Sequence, residues 1–176
     1  MTTTTMIRHA YGRAGLEVRD AEQRIISGAI VPYGVETRVG GYVESFAPGA
    51  FTTAVPADVP LLVAHRHAQL PIGRTATLTD EPGALVGEFQ LSDTRDADEV
   101  LALARDHVPL GLSVGFIPTE DKWNRDRTKV VRVRATLGEV SVVGLPAYRD
   151  AKVTAVRADD QPPTPRLAVA RLYRVS

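Results

Sequence analysis

Cysteine is absent from the chain, which excludes disulfide frameworks, thiolate zinc sites and cysteine nucleophiles. Any covalent catalysis has to use another side chain, and the composition suits a reducing compartment. A surplus of either charge is lacking too: 21 Lys and Arg balance 21 Asp and Glu over 176 residues. No global field draws such a chain onto nucleic acid or an anionic membrane surface. No apolar run approaches the length that spans a bilayer, and the threonine-rich residues 1–9 hold no signal-peptide core. These absences point to a cytosolic, soluble protein with neither nucleic-acid nor membrane partners. Histidine is scarce, and all four, His9, His65, His67 and His107, lie in the first two thirds of the chain.

What is present is a 44% hydrophobic composition, enough for one substantial core. Short β-branched runs punctuated by glycine and proline dominate, so the fold class reads as α+β and β-rich. Strands are predicted over 24–31, 41–46, 59–65, 72–79 and 84–91, the last two joined by the turn Asp80-Glu81-Pro82-Gly83. Pro48 fits the first turn of a short helix. A further helix is expected after Asp96, which with Glu99 resembles a capping box, and Val100, Leu103, Ala104 and His107 share its apolar face. Residues 120–128 read as a loop. Val131, Val133 and Ala135 alternate with Arg132 and Arg134 as in a half-buried strand, and further strands are expected over 139–145 and 151–156. The predicted organisation is a flexible N-terminal segment over 1–13, one domain over 14–157, and a proline-rich linker with a C-terminal tail over 158–176.

The chemistry concentrates at Gly111-Leu112-Ser113-Val114-Gly115-Phe116. Gly-x-Ser-x-Gly alone suggests the nucleophile elbow of an α/β-hydrolase, but that arrangement needs a strand-to-helix turn at the serine and a histidine after it. Here every histidine precedes Ser113, and Phe116-Ile117 reads as a strand stopped by Pro118. A nucleophilic Ser113 takes its base from upstream. His65 and His67 end the apolar run 59–64 and, two apart on a strand, would share a face. Imidazole is the side chain suited to taking a hydroxyl proton near neutral pH. Both residues have plainer readings, His65 as a surface or satisfied core residue and Ser113 as a small residue where another backbone crosses closely. His-x-His also permits a metal, but no further ligand is picked out by its spacing, so no metal or organic cofactor is expected.

Several segments in order carry a resemblance: Ser45-Phe46-Ala47-Pro48-Gly49-Ala50-Phe51, then Val59-Pro60-Leu61-Leu62 with His65, then Pro71-Ile72-Gly73-Arg74, the Ser113 hexapeptide, and Glu139-Val140-Ser141-Val142-Val143 with Pro146-Ala147. Over residues 25–156 this series resembles the prohead (procapsid) maturation serine proteases of tailed bacteriophages, relatives in fold of the herpesvirus capsid-maturation protease. Val63, Arg66 and Tyr148 depart from residue types common in that family, around the site rather than at it. The resemblance implies a twisted, barrel-like sheet with a few covering helices, Ser113 as nucleophile and His65 as base. Glu139 is the first choice for the group that orients the imidazole, with His67, Asp106 and Ser141 as substitutes. Oxyanion donors would be backbone N–H groups near Arg74 or after Val143. The implied function is a serine endopeptidase in the host cytoplasm, inside the assembling procapsid. It would cleave a scaffold or the scaffold segment of the major capsid protein, and itself; self-association stays open. The alternative is a catalytically silent capsid-assembly or scaffolding module with the same fold.

Overall fold

The computed structural model describes residues 8–11, 16–20 and 22–144. In chain order these form β1 (Arg8–Tyr11), β2 (Glu17–Asp20), β3 (Ile25–Pro32), β4 (Thr37–Val39), β5 (Tyr42–Phe46), a 3-10 turn at Pro56–Asp58 and β6 (Pro60–Val63). There follow β7 (Gly73–Glu81), β8 (Ala84–Leu91), α1 (Arg95–Arg105), β9 (Leu110–Trp123) and β10 (Lys129–Gly144). The strands join one mixed sheet in the order β1-β9-β10-β6-β7-β8-β3-β2, with β5 on β10 and β4 on β5. The sheet is open along this path, so the expected barrel is met only as a β-rich sheet with one α-helix among the described residues. A backbone bond from Leu16 N–H to Leu110 C=O (3.2 Å) nevertheless brings the chain before β2 against the start of β9.

β10 is the spine. It pairs antiparallel with β9, while its other edge runs parallel first to β5 at residues 129–132 and then to β6 at residues 140–142. Its apolar residues change parity along the way. Ala135 and Leu137 are buried in the core, then Val140 and Val142, because the ladder shifts between Leu137 and Glu139. One extra residue at Gly138 turns Glu139 and Ser141 to the face opposite that core. The core gathers Phe46, Phe51 and Phe116, with ring centroids 5.0 to 6.2 Å apart, beneath Leu61, Leu112, Val114 and Val140.

Several local expectations change for identifiable reasons. Residues 47–54 form successive turns rather than a helix started by Pro48, because Gly49 sits at φ +78°, outside the helical region. The α1 N-cap is Thr94, whose hydroxyl accepts from Ala97 N–H (3.4 Å), so Asp96 lies inside the first turn, where a carboxylate favours the helix dipole. His107 lies beyond the helix at φ 55°, exposed, and the buried face is Ala97, Val100, Leu101 and Ala104. β9 passes through Pro118 and on to Trp123, so the loop expected over 120–128 shrinks to a turn. The proline is tolerated because the ladder is irregular beside its partner Ala135, whose N–H bonds Ala50 C=O (2.8 Å) instead. Arg8–Tyr11, expected within a flexible segment, pairs with β9 as β1. The strand expected over 151–156, Pro146-Ala147 and the proline-rich tail lie outside the described residues.

The alternation expected over residues 131–135 holds at Arg134 and Ala135 and is inverted at Val131 and Arg132, around one charge. Val131 is exposed, whereas Arg132 is 1% exposed and held by Glu44 (2.5 Å), itself buried, and Asp121 (2.5 Å). Its guanidinium carbon lies 5.9 Å from the ring centres of both Tyr42 and Trp123. Arg132→Met removes this cation and leaves the Glu44 carboxylate buried, and should cost about 3–5 kcal/mol. Replacing both residues by apolar ones of similar size should recover most of that. Urea denaturation of the two variants beside wild type measures both terms, and an unchanged midpoint in Arg132→Met would show that the buried pair is not needed for stability.

Candidate active site

β9 and β10 present two faces. Leu112, Val114 and Phe116 enter the core, so Ser113 and Gly115 face the other way, and their partners across the ladder are Ser141 and Glu139. On β6, Leu62 is the register partner of Ser141. The face therefore runs from Ser113 across Ser141 to Leu62, with β10 between the serine strand and the strand that leads to His65.

His65 reaches this face from a turn, not from a strand. β6 ends at Val63, and Ala64 and His65 take left-handed backbone angles, φ 51° and 55°. Each such residue without glycine's freedom costs roughly 1–2 kcal/mol, so the turn persists only because its surroundings hold it. Ala64 N–H donates to Val142 C=O (2.9 Å), Arg66 N–H to Val63 C=O (3.1 Å) and His67 N–H to His65 C=O (3.0 Å). The His65 N–H donates to the Ser141 hydroxyl (3.1 Å). The chain doubles back and lays the imidazole over β10 and β9. The expected same-face strand pair of His65 and His67 is replaced by a half-buried ring and an exposed one.

Four side chains then form one hydrogen-bonded series. His65 Nε2 lies 2.8 Å from Ser113 Oγ, and His65 Nδ1 lies 2.6 Å from Glu139 Oε1. The second carboxylate oxygen, Oε2, accepts from the Ser141 hydroxyl (2.7 Å). Glu139 is 3% exposed and Ser113 and Ser141 have no exposed surface, so these bonds satisfy polar groups that solvent does not reach. Gly115 makes room for the carboxylate: a Cβ there would stand 2.5 Å from Glu139 Oε1. With Glu139 accepting from Nδ1–H, Nε2 is left to accept the Ser113 proton, the tautomer that a serine nucleophile requires. Ser113 attack on a carbonyl is the chemistry this geometry can perform.

Of the residues singled out from sequence, the structure brings Ser113, His65, Glu139 and Ser141 together. Asp106 is the exposed C-cap of α1, and His67 lines an adjacent, mostly apolar cavity of about 290 Å³ with Pro60, Leu62, Gly115 and Ile117. Arg132 and Arg134, on the same strand as Glu139, pair instead with Glu44 and Asp121 and with Glu120. Arg74 stands on β7, three strands from Ser113 and about 14 Å along the sheet, too far for its N–H to serve as an oxyanion donor. Beyond Gly144, the segment after Val143 lies outside the described residues. The double role of Ser141, donor to the carboxylate and acceptor for the turn, was missed. Its signal is the Glu-x-Ser spacing, which puts both side chains on one face.

No curated protein matches the chain. Among solved structures, the bacteriophage T4 capsid assembly protease, gp21, is similar at a TM-score of 0.55 and 12% identity, covering 80% of this chain and 97% of that one. That likeness shows the fold. The family model of the caudovirus prohead serine protease matches residues 14–163, which hold Ser113, His65 and Glu139 and extend into the proline-rich stretch, and the chain belongs to that family.

Proposed function

We propose that Ser113, His65 and Glu139 are the nucleophile, base and orienting acid of a serine endopeptidase that acts inside the assembling procapsid, in the host cytoplasm. Its substrates are a scaffold or the scaffold segment of the major capsid protein, and the enzyme itself. The observation that carries this reading is the unbroken series from Ser113 Oγ through His65 to Glu139, at 2.8 and 2.6 Å. His65 Nε2 takes the Ser113 proton as Oγ attacks the scissile carbonyl, and the imidazolium is stabilised by the Glu139 carboxylate. The same proton passes to the leaving amine, and water, deprotonated in turn by His65, hydrolyses the acyl-enzyme. Ser141 is a positioning residue, since it holds the carboxylate and the His65 backbone without touching the reacting atoms. A silent assembly module has no use for a half-buried imidazole bonded on both nitrogens. The boundaries 14–157 for the catalytic domain and a herpesvirus-protease-like barrel belong to the same proposal, the latter supported by the Leu16 to Leu110 bond.

Incubation with the capsid precursor encoded beside it tests the reading directly. Ser113→Ala and His65→Ala should each lower cleavage by about six orders of magnitude, with no further loss in the double variant, because nucleophile and base act as a unit. Glu139→Gln should cost about 10⁴-fold and His67→Ala far less. A His67→Ala loss larger than that of Glu139→Gln would transfer the orienting role to His67.

Ser141→Ala should lower kcat about tenfold with KM unchanged, corresponding to one hydrogen bond to a charged group at ~1.5 kcal/mol. Steady-state kinetics separate this from a loss of binding, which would raise KM instead.

Self-processing is read by intact mass. Wild type should lose part of the segment after residue 156 while Ser113→Ala keeps it; equal trimming in both proteins would assign the cleavage to host proteases.

A further inference from the structure

The strand that carries Ser113 has two edges, and both are taken. β10 holds the inner one; the outer one is paired with β1, in the register Arg8 to Phe116, His9 to Gly115, Ala10 to Val114 and Tyr11 to Ser113. The pairing is antiparallel, and the chain returns to the start of β9 at Leu16, whose N–H donates to Leu110 C=O (3.2 Å). The N-terminal segment thus enters beside Phe116, reaches Ser113 with Tyr11 and ends beside Leu110. Ser113 itself has no exposed surface.

A peptide that lies extended beside a strand brings a carbonyl to a buried serine in the middle of that strand. Main-chain pairing on a strand edge is the general way in which an extended peptide is held with its bonds in a fixed register. On β9 the inner edge belongs to the carrier of Glu139, so only the outer edge can serve. Resting on the peptidase reading above, we infer that the outer edge of β9 is the docking edge for the substrate polypeptide and that β1 is its resident occupant in the free enzyme. Substrate runs antiparallel to β9, so that residues before the scissile bond lie along Gly115 and Phe116 and residues after it along Gly111 and Leu110.

β1 suits a displaceable occupant. It is 4 residues long, and any extended peptide offers β9 the same backbone groups, so exchange conserves the main-chain bonds. Its advantage is tethering, equivalent to an effective concentration on the order of millimolar for a short linker. Substrate affinity is reduced in proportion to the fraction of molecules whose edge is occupied. The enzyme is accordingly restrained at low substrate concentration and released where substrate is crowded.

The test keeps the full chain and replaces His9 and Ala10 together by proline. Adjacent positions are needed because only alternate N–H groups of an antiparallel strand point to its partner. Toward a peptide from the cleaved capsid precursor, the variant should show KM lowered about fivefold or more with kcat within about twofold. An unchanged or raised KM overturns the inference and leaves the peptidase reading standing. Absence of cleavage in wild type and variant alike overturns that reading instead, and the edge is then judged by binding. A fluorescent peptide of residues 6–13 should bind the Ser113→Ala protein more tightly once the prolines are added; equal binding overturns the inference. Should the proline variant fail to fold, hydrogen exchange in full-chain Ser113→Ala decides. An excess of the acetylated peptide should speed exchange at the protein's own residues 8–11, and unaltered exchange there rules the displacement out.

Discussion

Everything at the site depends on the phase of one antiparallel ladder. β9 and β10 face each other so that Ser113 opposes Ser141 and Gly115 opposes Glu139. In a pleated sheet a slip of one residue sends each side chain to the opposite face, which would put Ser113 in the apolar core and Val114 under the imidazole. The phase is held from both sides, by Leu112, Val114 and Phe116 below and by the polar series above. The irregularity between Leu137 and Glu139 lets a single long strand serve two purposes. Its first half buries Ala135 and Leu137 in the core, and its second half frees odd-numbered residues for chemistry while Val140 and Val142 keep the core filled. Read as sequence, residues 129–144 looked like two separate strands because the hydrophobic parity changes; the physical cause is the extra residue at Gly138.

Legibility followed the same line between pattern and context. Ser113 could be picked out because small residues flank it and because no histidine follows it. The edges of β3, β7 and β8 were likewise readable from β-branched runs and the Pro82-Gly83 turn. The residues alone left His65 and His67 both open, and the choice of His65 came from the resemblance to a family. Nothing in Ala64-His65 announces a left-handed turn, since neither residue favours that backbone, and the turn exists because Val142 and Ser141 bind it from another strand. Arg132 was equally hidden. An arginine among valines reads as the solvent side of a strand, and only Glu44, Asp121 and two aromatic rings from elsewhere in the chain make the opposite arrangement stable.

Ser141 links two kinds of requirement that are usually met by separate residues. Its hydroxyl donates to the carboxylate and accepts from the backbone that is strained, so the orientation of the ring and the shape of the turn are coupled through one oxygen. A small side chain is needed there because Ser141 is fully buried between Leu62 and Ser113 in the register. Threonine would keep the donor but add a methyl group where no surface is free, and alanine would keep the shape but leave Glu139 Oε2 without this donor.

His65 lies 48 residues from Ser113 and 74 from Glu139 along the chain. Contacts of such separation form only after the entropy of closing long loops has been met, and joining His65 to both Glu139 and Ser113 further requires β6, β10 and β9 to be docked side by side. No partly folded or nascent chain can hold the three groups together. The hydrogen-bonded series of Ser113, His65 and Glu139 therefore arrives in a single cooperative step with the completed sheet, and an unfinished copy of the chain does not hold it.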